Sequence, residues 1–355
     1  MPPQTVHYEI DFLPVGDGER SGDAIALRIW GIAPQQVFVI DGGTKDSGKA
    51  LLQHIRTFYG TNVVNAVVST HPDSDHSSGL TEVLENMEVK LLVMHQPWDY
   101  APDIKSLFEN RGLTSLGLQR KIKEELECAH ELKKIADRKK IPITEPFEGG
   151  VWTGGLFTVL GPSQEYYKSL LPNFRPMPET KEGVGLIPTF IRKVEEEIEM
   201  IAEALHIETL VDGNEHFSAE NNTSTILLFN LGQDKVLFTG DADADALTLA
   251  ADFAARNNIS LADLKILQVP HHGSKQNVGP TILNRIKGRS AHISVSPGAA
   301  PKHPSKKVIN ALIRRGSQVF TCTPGQTVCY HGDSTPIRAG WVNLPAHPFY
   351  QQVEA

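Results

Sequence analysis

Four short apolar segments of this chain each end at residues that can bind a metal ion. They are residues 37–40 before Asp41, 63–70 before His71, 236–240 before Asp241, and 264–270 before His271 and His272. Apolar runs of this length, bounded by turn residues, are typical of buried strands. Because a layered fold collects strand ends along one edge, we expect these side chains to converge on one site.

The second of these strand ends carries several ligand-type side chains in one short turn, namely His71, Asp73, Asp75 and His76. Neutral imidazole and carboxylate together suit divalent transition metals such as zinc or manganese. The same run also fits a solvated turn that caps a helix, with Asp75 or Ser77 as the N-cap. The ordered ligand-bearing strand ends downstream favour the metal site.

In this order, the motifs resemble those of the metallo-β-lactamase superfamily. Five segments look like the soluble domain of ComEC-type competence proteins: SGDAI at 21–25, THPDSDH at 70–76, NNTS at 221–224, FTGD at 238–241 and VPHHGS at 269–274. The match is ordered and covers most of the chain. The resemblance implies an α/β fold, a four-layer αββα sandwich with two sheets face to face and helices outside. It further implies a freestanding relative of the ComEC-type domain.

The resemblance also implies two divalent metal ions with Asp241 bridging them and Asp41 supporting the ligand turn. It divides the other ligands into His71 and Asp73 for one ion, and Asp75, His76 and one of His271 and His272 for the other. Asp73 and Asn222, or its neighbour Asn221, stand where most members have histidine. Since both replacements exchange nitrogen for oxygen, they favour manganese or magnesium over zinc. We therefore expect Mn²⁺ or Zn²⁺, with Mg²⁺ as a further option.

A pair of divalent ions about 3.5–4 Å apart can turn a bridging water into a hydroxide nucleophile and neutralise charge on a scissile phosphate. The resemblance therefore implies a hydrolase of phosphodiester bonds, a nuclease acting on DNA being favoured. The candidate catalytic residues are Asp75, Asp241 and His303.

Three residues after the last strand end are candidates for contacting a substrate phosphate. Ser274 and Lys275 offer a hydroxyl and an ammonium that can bind a non-bridging oxygen, although an ordinary solvated turn explains them equally well. His303, in a His-Pro element like that of ComEC-type domains, can orient phosphate or protonate a leaving oxygen. A surface histidine before a helix is the alternative. Adjacent residues of an extended chain point to opposite sides, so only one of His271 and His272 is expected to be a ligand.

Two other functions fit the same motifs. A hydrolase of a β-lactam, lactone or thioester would use the same scaffold, because a fold does not determine its substrate. A noncatalytic subunit, in which metals stabilise the fold and the protein binds a nucleotide or a partner, is the second. The retained acidic ligands favour an enzyme.

Composition excludes several other classes of protein. With 34 basic and 42 acidic residues among 355, the net charge is −8, and no dense basic stripe marks a protein that coats nucleic acid. No apolar run of about 18 residues is present, and we expect no signal peptide because the first residues lack a basic region followed by an apolar stretch. Three cysteines without metal-type spacing fit a reducing cytosol. We expect a cytoplasmic protein without a membrane role, whose partner is nucleic acid or another phosphodiester.

The motifs predict one metallo-β-lactamase-like domain over residues 1–355, with a helical and loop insertion at 100–218. Apolar side chains recur at helical spacing in 121–136, and again at Val194, Ile198, Ile201 and Leu205. Proline and glycine crowd residues 172–188, which predicts a loop. The insertion either borders the site as a lid or specificity element, or simply packs as core.

Overall fold

A computed structural model describes residues 6–16, 21–31, 34–109, 112–175, 177–178, 180, 200–213, 218–296, 298, 303–322, 327–332, 335–341 and 344–354. Its strands are β1 (His7–Phe12), β2 (Ala24–Trp30), β3 (Gln36–Gly42), β4 (Val63–Val64), β5 (Ala66–Val68), β6 (Glu88–Val89), β7 (Leu92–Val93), β8 (Ile143–Thr144), β9 (Val151–Trp152), β10 (Phe157–Gly161), β11 (Met200–Ala202), β12 (Ile226–Leu231), β13 (Asp234–Phe238), β14 (Leu264–Gln268), β15 (Gly288–Ser294), β16 (Gln318–Cys322), β17 (Val328–His331) and β18 (Gln352–Glu354). Its α-helices are α1 (Lys45–His54), α2 (Ser74–Ser77), α3 (Leu80–Asn86), α4 (Ala101–Ile104), α5 (Ser115–Glu125), α6 (Glu127–Lys139), α7 (Gln164–Leu170), α8 (Ala219–Asn222), α9 (Ala244–Arg256), α10 (Pro280–Leu283) and α11 (Lys306–Arg314).

Two large sheets organise the described residues. The first has the strand order β17-β1-β2-β3-β5-β7-β8 and the second β16-β15-β14-β13-β12-β10-β9. In the first sheet β3, β5, β7 and β8 run parallel, and in the second β13, β14, β15 and β16 do so. The remaining pairs in both sheets are antiparallel. Each sheet therefore has one parallel half, whose strands all end at the same edge.

The two sheets pack face to face through alternate residues of their strands. In β1, Ile10 and Phe12 belong to the inter-sheet core, together with Phe229 of β12 and Phe238 of β13. All four side chains are fully buried. Because strand side chains alternate between faces, the neighbouring residues of β1 point to the opposite, helix-covered face.

Helices cover the outer face of each sheet. Residues of α1, α3, α5 and α6 form a second core with the first sheet, and residues of α9, α10 and α11 form a third core with the second sheet. In α9, for example, Leu247, Ala250, Ala251 and Ala254 make a buried stripe at helical spacing. Three separate cores between four layers confirm the predicted αββα sandwich.

The segment 100–218 contains more than helices and loops. The pattern in residues 121–136 predicts one helix, but the structure has two, α5 and α6, because the helical backbone is interrupted at Leu126. The segment also supplies β8 to the first sheet and β9 and β10 to the second. Ile201, predicted helical, lies in β11 and pairs with Val353 of β18. The predicted helical positions Val194 and Ile198, and most of the predicted loop, lie outside the described residues.

None of the helices in the described ranges combines the length and the hydrophobicity that crossing a bilayer requires.

We expect Phe229→Ala to lower the free energy of unfolding by about 3–5 kcal/mol, since it opens a cavity between the sheets. The ring of Phe229 lies 5.6 Å from that of Tyr8 and 5.3 Å from that of Phe157. Leu116→Ala is the control, because Leu116 is 76% exposed and its truncation should change stability by less than about 0.5 kcal/mol. Urea unfolding followed by circular dichroism measures both, and equal midpoints would contradict the inter-sheet core.

Candidate metal centre

The parallel halves of the two sheets bring four strand ends to one place. Asp41 lies at the end of β3, and His71 follows the neighbouring parallel strand β5. On the second sheet, Asp241 follows β13 and His271 follows its parallel neighbour β14. Since parallel strands end at a common edge, the convergence predicted from the sequence follows from this topology.

The carboxylate of Asp241 lies at the centre of four imidazole rings. Its Oδ1 is 3.4 Å from Nε2 of His76 and 3.6 Å from Nε2 of His272. Its Oδ2 is 3.9 Å from Nε2 of His71 and 3.9 Å from Nε2 of His271. The Asp241, His71, His76 and His272 side chains are buried, and that of His271 is 27% exposed. The solvent side of the site is therefore at His271.

Hydrogen bonds on the first sheet orient His71 and His76. Nδ1 of His76 donates to Oδ2 of Asp41 at 2.9 Å. The hydroxyl of Thr70 also donates to this oxygen, at 2.6 Å, so the Thr70 oxygen is left to accept from Nδ1 of His71 at 3.0 Å. With Nδ1 carrying the proton, Nε2 of the neutral His71 is free to bind a cation, whereas Nε2 of His76, whose pKa is raised, carries a second proton toward Asp241 until a cation replaces it.

The second sheet orients the other two histidines in the same way. Nδ1 of His272 donates to the carbonyl oxygen of Ser294 at 2.9 Å. Nδ1 of His271 donates to Oδ1 of Asn277 at 2.8 Å, while the amide nitrogen of Asn277 donates to the carbonyl of Asp241 at 3.0 Å. Partners of this kind hold metal-binding histidines in position.

The pKa shifts agree with a cation site. Burial opposes ionisation of Asp241, but the surrounding imidazoles, His76 foremost, outweigh it and hold this pKa well below its usual range. Burial lowers the pKa of His272 to about 3 and also lowers that of His71, so both are neutral at pH 7. Burial likewise opposes charge on His76, yet Asp241 and Asp41 hold its pKa well above the ordinary value.

The donor set fits a divalent cation. Nε2 of His71 is buried without a hydrogen-bond partner, and Nε2 of His76 and Oδ1 of Asp241 face each other at 3.4 Å, longer than an ordinary hydrogen bond. Such atoms cost about 1–3 kcal/mol each unless something binds them. The ligand atoms of His76, Asp241 and His272 lie within 4.8 Å of one another, as do those of Asp41, His71 and His76. Imidazole nitrogen with carboxylate oxygen is a donor set for zinc or manganese.

Both adjacent histidines reach the site, in contrast to the single ligand expected from extended geometry. The backbone of His271 has φ 46° and that of His272 has φ 56°. Two successive left-handed residues turn the chain so that both rings face Asp241 rather than opposite sides. The expected alternation fails because it applies to strands, and β14 ends at Gln268.

Asp73 does not join the four imidazoles. Nη2 of Arg175 lies 2.7 Å from both oxygens of Asp73 and holds this carboxylate in an ion pair. Asp75 lies on α2, half-buried, beside a cavity of about 630 Å³ that Asp73 and Arg175 also line. Among the described residues, the groups able to hold a metal ion include neither Asp73 nor Asp75. The ligand pair of His71 and Asp73 that the resemblance implies for one ion therefore stays a prediction.

Of the two asparagines considered as ligands, Asn222 is engaged elsewhere. Its Nδ2 donates to Oδ2 of Asp243 at 2.5 Å, and its Oδ1 accepts from the Asp243 backbone N–H at 3.2 Å. Asp243 in turn caps α9. Asn221 lies nearer the site, with Nδ2 3.5 Å from Nδ1 of His271. The Oδ1 of Asn221 is buried without a hydrogen-bond partner.

The remaining sequence candidates lie around His271. The ring of His303 stacks on that of His271, with centroids 5.7 Å apart. Ser274 is buried, and its hydroxyl accepts from the backbone N–H of Gln276 at 3.2 Å, as in the turn that was its alternative interpretation. Lys275 is half-buried beside it.

Gln268 is a site residue that sequence reasoning missed. Its Oε1 accepts from the backbone N–H groups of Thr239 and Gly240 at 2.6 and 3.0 Å, and its Nε2 donates to Oδ2 of Asp23 at 2.9 Å. Gln268 therefore holds the turn that presents Asp241. A glutamine in a strand gives no sequence signal for this role. Asn277, which accepts from Nδ1 of His271, gives none either.

Gly240 is required by the same turn. Its φ is 53°, and a Cβ at this position would lie 2.9 Å from Oγ1 of Thr70. A larger residue would strain the backbone and crowd the side chains of Thr70 and Ser224.

No protein-family model matches the chain. It is 32% identical over 125 residues to Recombination protein 2 of Haemophilus influenzae, covering 35% of this chain and 15% of that protein. It is 26% identical over 113 residues to ComE operon protein 3 of Bacillus subtilis, covering 32% of this chain and 14% of that protein. The alignments thus span about a seventh of the length of these relatives.

Among solved structures, the metallo-β-lactamase fold protein YhfI of Bacillus subtilis aligns over 92% of this chain and 100% of its own, with a TM-score of 0.44 and 8% identity. The two facing sheets with helices outside and the strand-end site define the present chain as a metallo-β-lactamase-fold protein. Within that fold it is related in sequence to ComEC- and Rec2-type competence proteins, as its motifs predict. The histidines around Asp241 are candidate ligands for a divalent metal ion.

Asp41→Asn should weaken binding of Mn²⁺ or Zn²⁺ by about 10–100-fold, because an amide cannot accept all three hydrogen bonds that orient His76 and Thr70. Asp46→Asn is the matched control, since Asp46 is exposed and pairs with the surface residue Lys49. Competition with a chromogenic chelator measures the affinities. Equal affinities in the two variants would show that Asp41 does not support the site.

Metal binding at pH 7 should release about one proton per chain, because His76 has a raised pKa and must lose its Nε2 proton to bind a cation. His272 and His71, with lowered pKa values, contribute none. Metal affinity should consequently rise with pH until the pKa of His76 is reached, and fall as pH is lowered. Titration calorimetry in buffers of different ionisation enthalpy tests this, and buffer-independent heats would contradict it.

Proposed function

We propose that this protein is a metal-dependent hydrolase of phosphodiester bonds, and that its favoured substrate is DNA. The observation that carries the proposal is the buried Asp241 carboxylate, which faces two imidazole nitrogens on each of its two oxygens. Asp241 would hold divalent ions together with His76 and His272 near Oδ1 and with His71 and His271 near Oδ2. We propose that the nearby carboxylates of Asp73 and Asp75 complete these two ligand sets when metal binds.

Two divalent ions at this position would supply charge neutralisation for a scissile phosphate and a lowered pKa for a bound water. The residues of the chain would then orient these groups. Asp41 and Asn277 hold the rings of His76 and His271 through Nδ1. His303, stacked on the partly exposed His271, is assigned the transfer of a proton to the leaving oxygen.

The choice of DNA is supported by the motif resemblance and by the names of the relatives, Recombination protein 2 and ComE operon protein 3. The net charge of −8 does not oppose it, because bound cations offset the acids of the site. We also propose a cytoplasmic location, supported by the free thiols of Cys128 and Cys322.

The test is cleavage of labelled single- and double-stranded DNA with Mn²⁺, Mg²⁺ or Zn²⁺. Asp241→Asn should lower the cleavage rate by roughly a thousandfold or more, since it removes the central ligand. Asp245→Asn is the control: Asp245 lies four residues along in the first turn of α9, is exposed, and should keep full activity.

The outcomes separate the possible functions. Metal-dependent cleavage by the wild type and by Asp245→Asn, but not by Asp241→Asn, would establish a nuclease and name its metal. Cleavage that persists in Asp241→Asn would point to a contaminant. If no DNA is cleaved, hydrolysis of β-lactam, lactone and thioester substrates by the same variants is the next measurement, and inactivity on all of them would favour a binding subunit.

A further inference from the structure

Arg175 makes the contact that separates Asp73 from the candidate metal centre. Its Nη2 lies 2.7 Å from both carboxylate oxygens of Asp73, and its Nε lies 3.2 Å from Oε1 of Glu220. One guanidinium therefore joins the ligand turn after β5 to α8, which precedes β12 of the other sheet.

Glu220 fixes the position of Arg175. The side chain of Glu220 is only 2% exposed, and its Oε1 also accepts from the backbone N–H of Arg175 at 2.7 Å. Its other oxygen accepts from the hydroxyl of Ser218 at 2.7 Å. A buried carboxylate with these partners holds the arginine in one place, so its guanidinium is oriented before any ligand arrives.

The other contact of Arg175 is the exchangeable one. The side chains of Arg175 and Asp73 are 49% and 23% exposed. Ion pairs open to solvent contribute little to stability, so replacing Asp73 by another anion on Arg175 costs little. Guanidinium groups bind carboxylate and phosphate oxygens with the same geometry.

The surroundings leave an anion one place to bind. The cavity of about 630 Å³ beside the ligand turn is lined by acidic side chains, which are Asp73, Asp75, Glu124, Glu125, Glu127 and Glu220. Arg175 is the one cation among the described residues that line it. The carboxylates that line the cavity repel a phosphate, and among the lining side chains Arg175 is the one that attracts it.

We propose that Arg175 is the residue of this chain that binds a non-bridging phosphate oxygen of the substrate, and that Asp73 occupies its guanidinium in the free protein. The assignment rests on the proposed phosphodiester hydrolysis. When phosphate replaces Asp73 on Arg175, the Asp73 carboxylate is released for the cation at the neighbouring histidines. Substrate binding and completion of the ligand set are thereby coupled through one side chain.

The experiment compares wild type with Arg175→Ala, Arg175→Lys and the control Arg138→Ala, all loaded with metal. Arg138 pairs with Glu85 on an exposed helix surface and does not line the cavity. Inorganic phosphate binding is measured by calorimetry, and kcat and KM by hydrolysis of bis(p-nitrophenyl) phosphate. Thermal unfolding checks that each variant is folded.

We expect Arg175→Ala to weaken phosphate binding and to raise KM, each by about 10–100-fold, as loss of a charge-assisted hydrogen bond predicts. Arg175→Lys should recover part of both, because it keeps the charge without the planar fork. It also keeps a cation beside the buried Glu220 if the alanine variant fails to fold. Arg138→Ala should match the wild type.

A merely structural Arg175 would lower the unfolding temperature of its variants without changing phosphate affinity or KM, and that result would overturn the assignment while leaving the proposed hydrolysis intact. If phosphate binding depends on Arg175 but the wild type cleaves no phosphodiester, Arg175 is an anion-binding residue without a role in hydrolysis, and the proposed function fails. Phosphate affinity therefore tests the role of Arg175, and phosphodiester cleavage by the wild type tests the proposed function.

Discussion

A carboxylate buried between two sheets is stable here only because imidazoles surround it. Burial of the Asp241 carboxylate opposes its ionisation. Interaction with the imidazoles, above all with His76, outweighs burial and keeps the carboxylate charged. Each ring that faces Asp241 is itself held by an oxygen on its far side, from Asp41, Thr70, Asn277 or the Ser294 carbonyl. The site thus has two layers of polar contacts. The outer oxygens orient the imidazole rings, and the rings stabilise the negative charge of Asp241.

The architecture supplies these contacts because both sheets have a parallel half. Parallel strands end at one edge, and the facing of the two sheets brings the ends of β3 and β5 against those of β13 and β14. Gly240 and Gln268 adjust the second sheet so that Asp241 reaches the first. Apolar packing between the sheets, through residues such as Phe229 and Phe238, therefore sets the spacing of the polar site.

Sequence patterns could predict the parts of this arrangement that are local. Strand-end residues such as Asp41, His71 and Asp241 were identifiable because apolar runs precede them, and the αββα class followed from motif order. The facing of both His271 and His272 could not be predicted, since it depends on two left-handed residues. The ion pair of Asp73 with Arg175 spans 102 positions in the chain, and no local pattern encodes it. Strands β9 and β10 lie in the segment predicted as a helical and loop insertion, and with 2 and 5 residues they give only a weak strand pattern.

The division of the histidines between two sheets has a consequence for folding. His71 and His76 come from the first sheet, and Asp241, His271 and His272 come from the second. A cation that binds a residue from each sheet ties together segments some 170 residues apart, and so acts as a reversible cross-link that the unfolded chain cannot form. Chelators would then behave toward this protein as mild denaturants, and metal supply would influence how much of the chain persists in its assembled state.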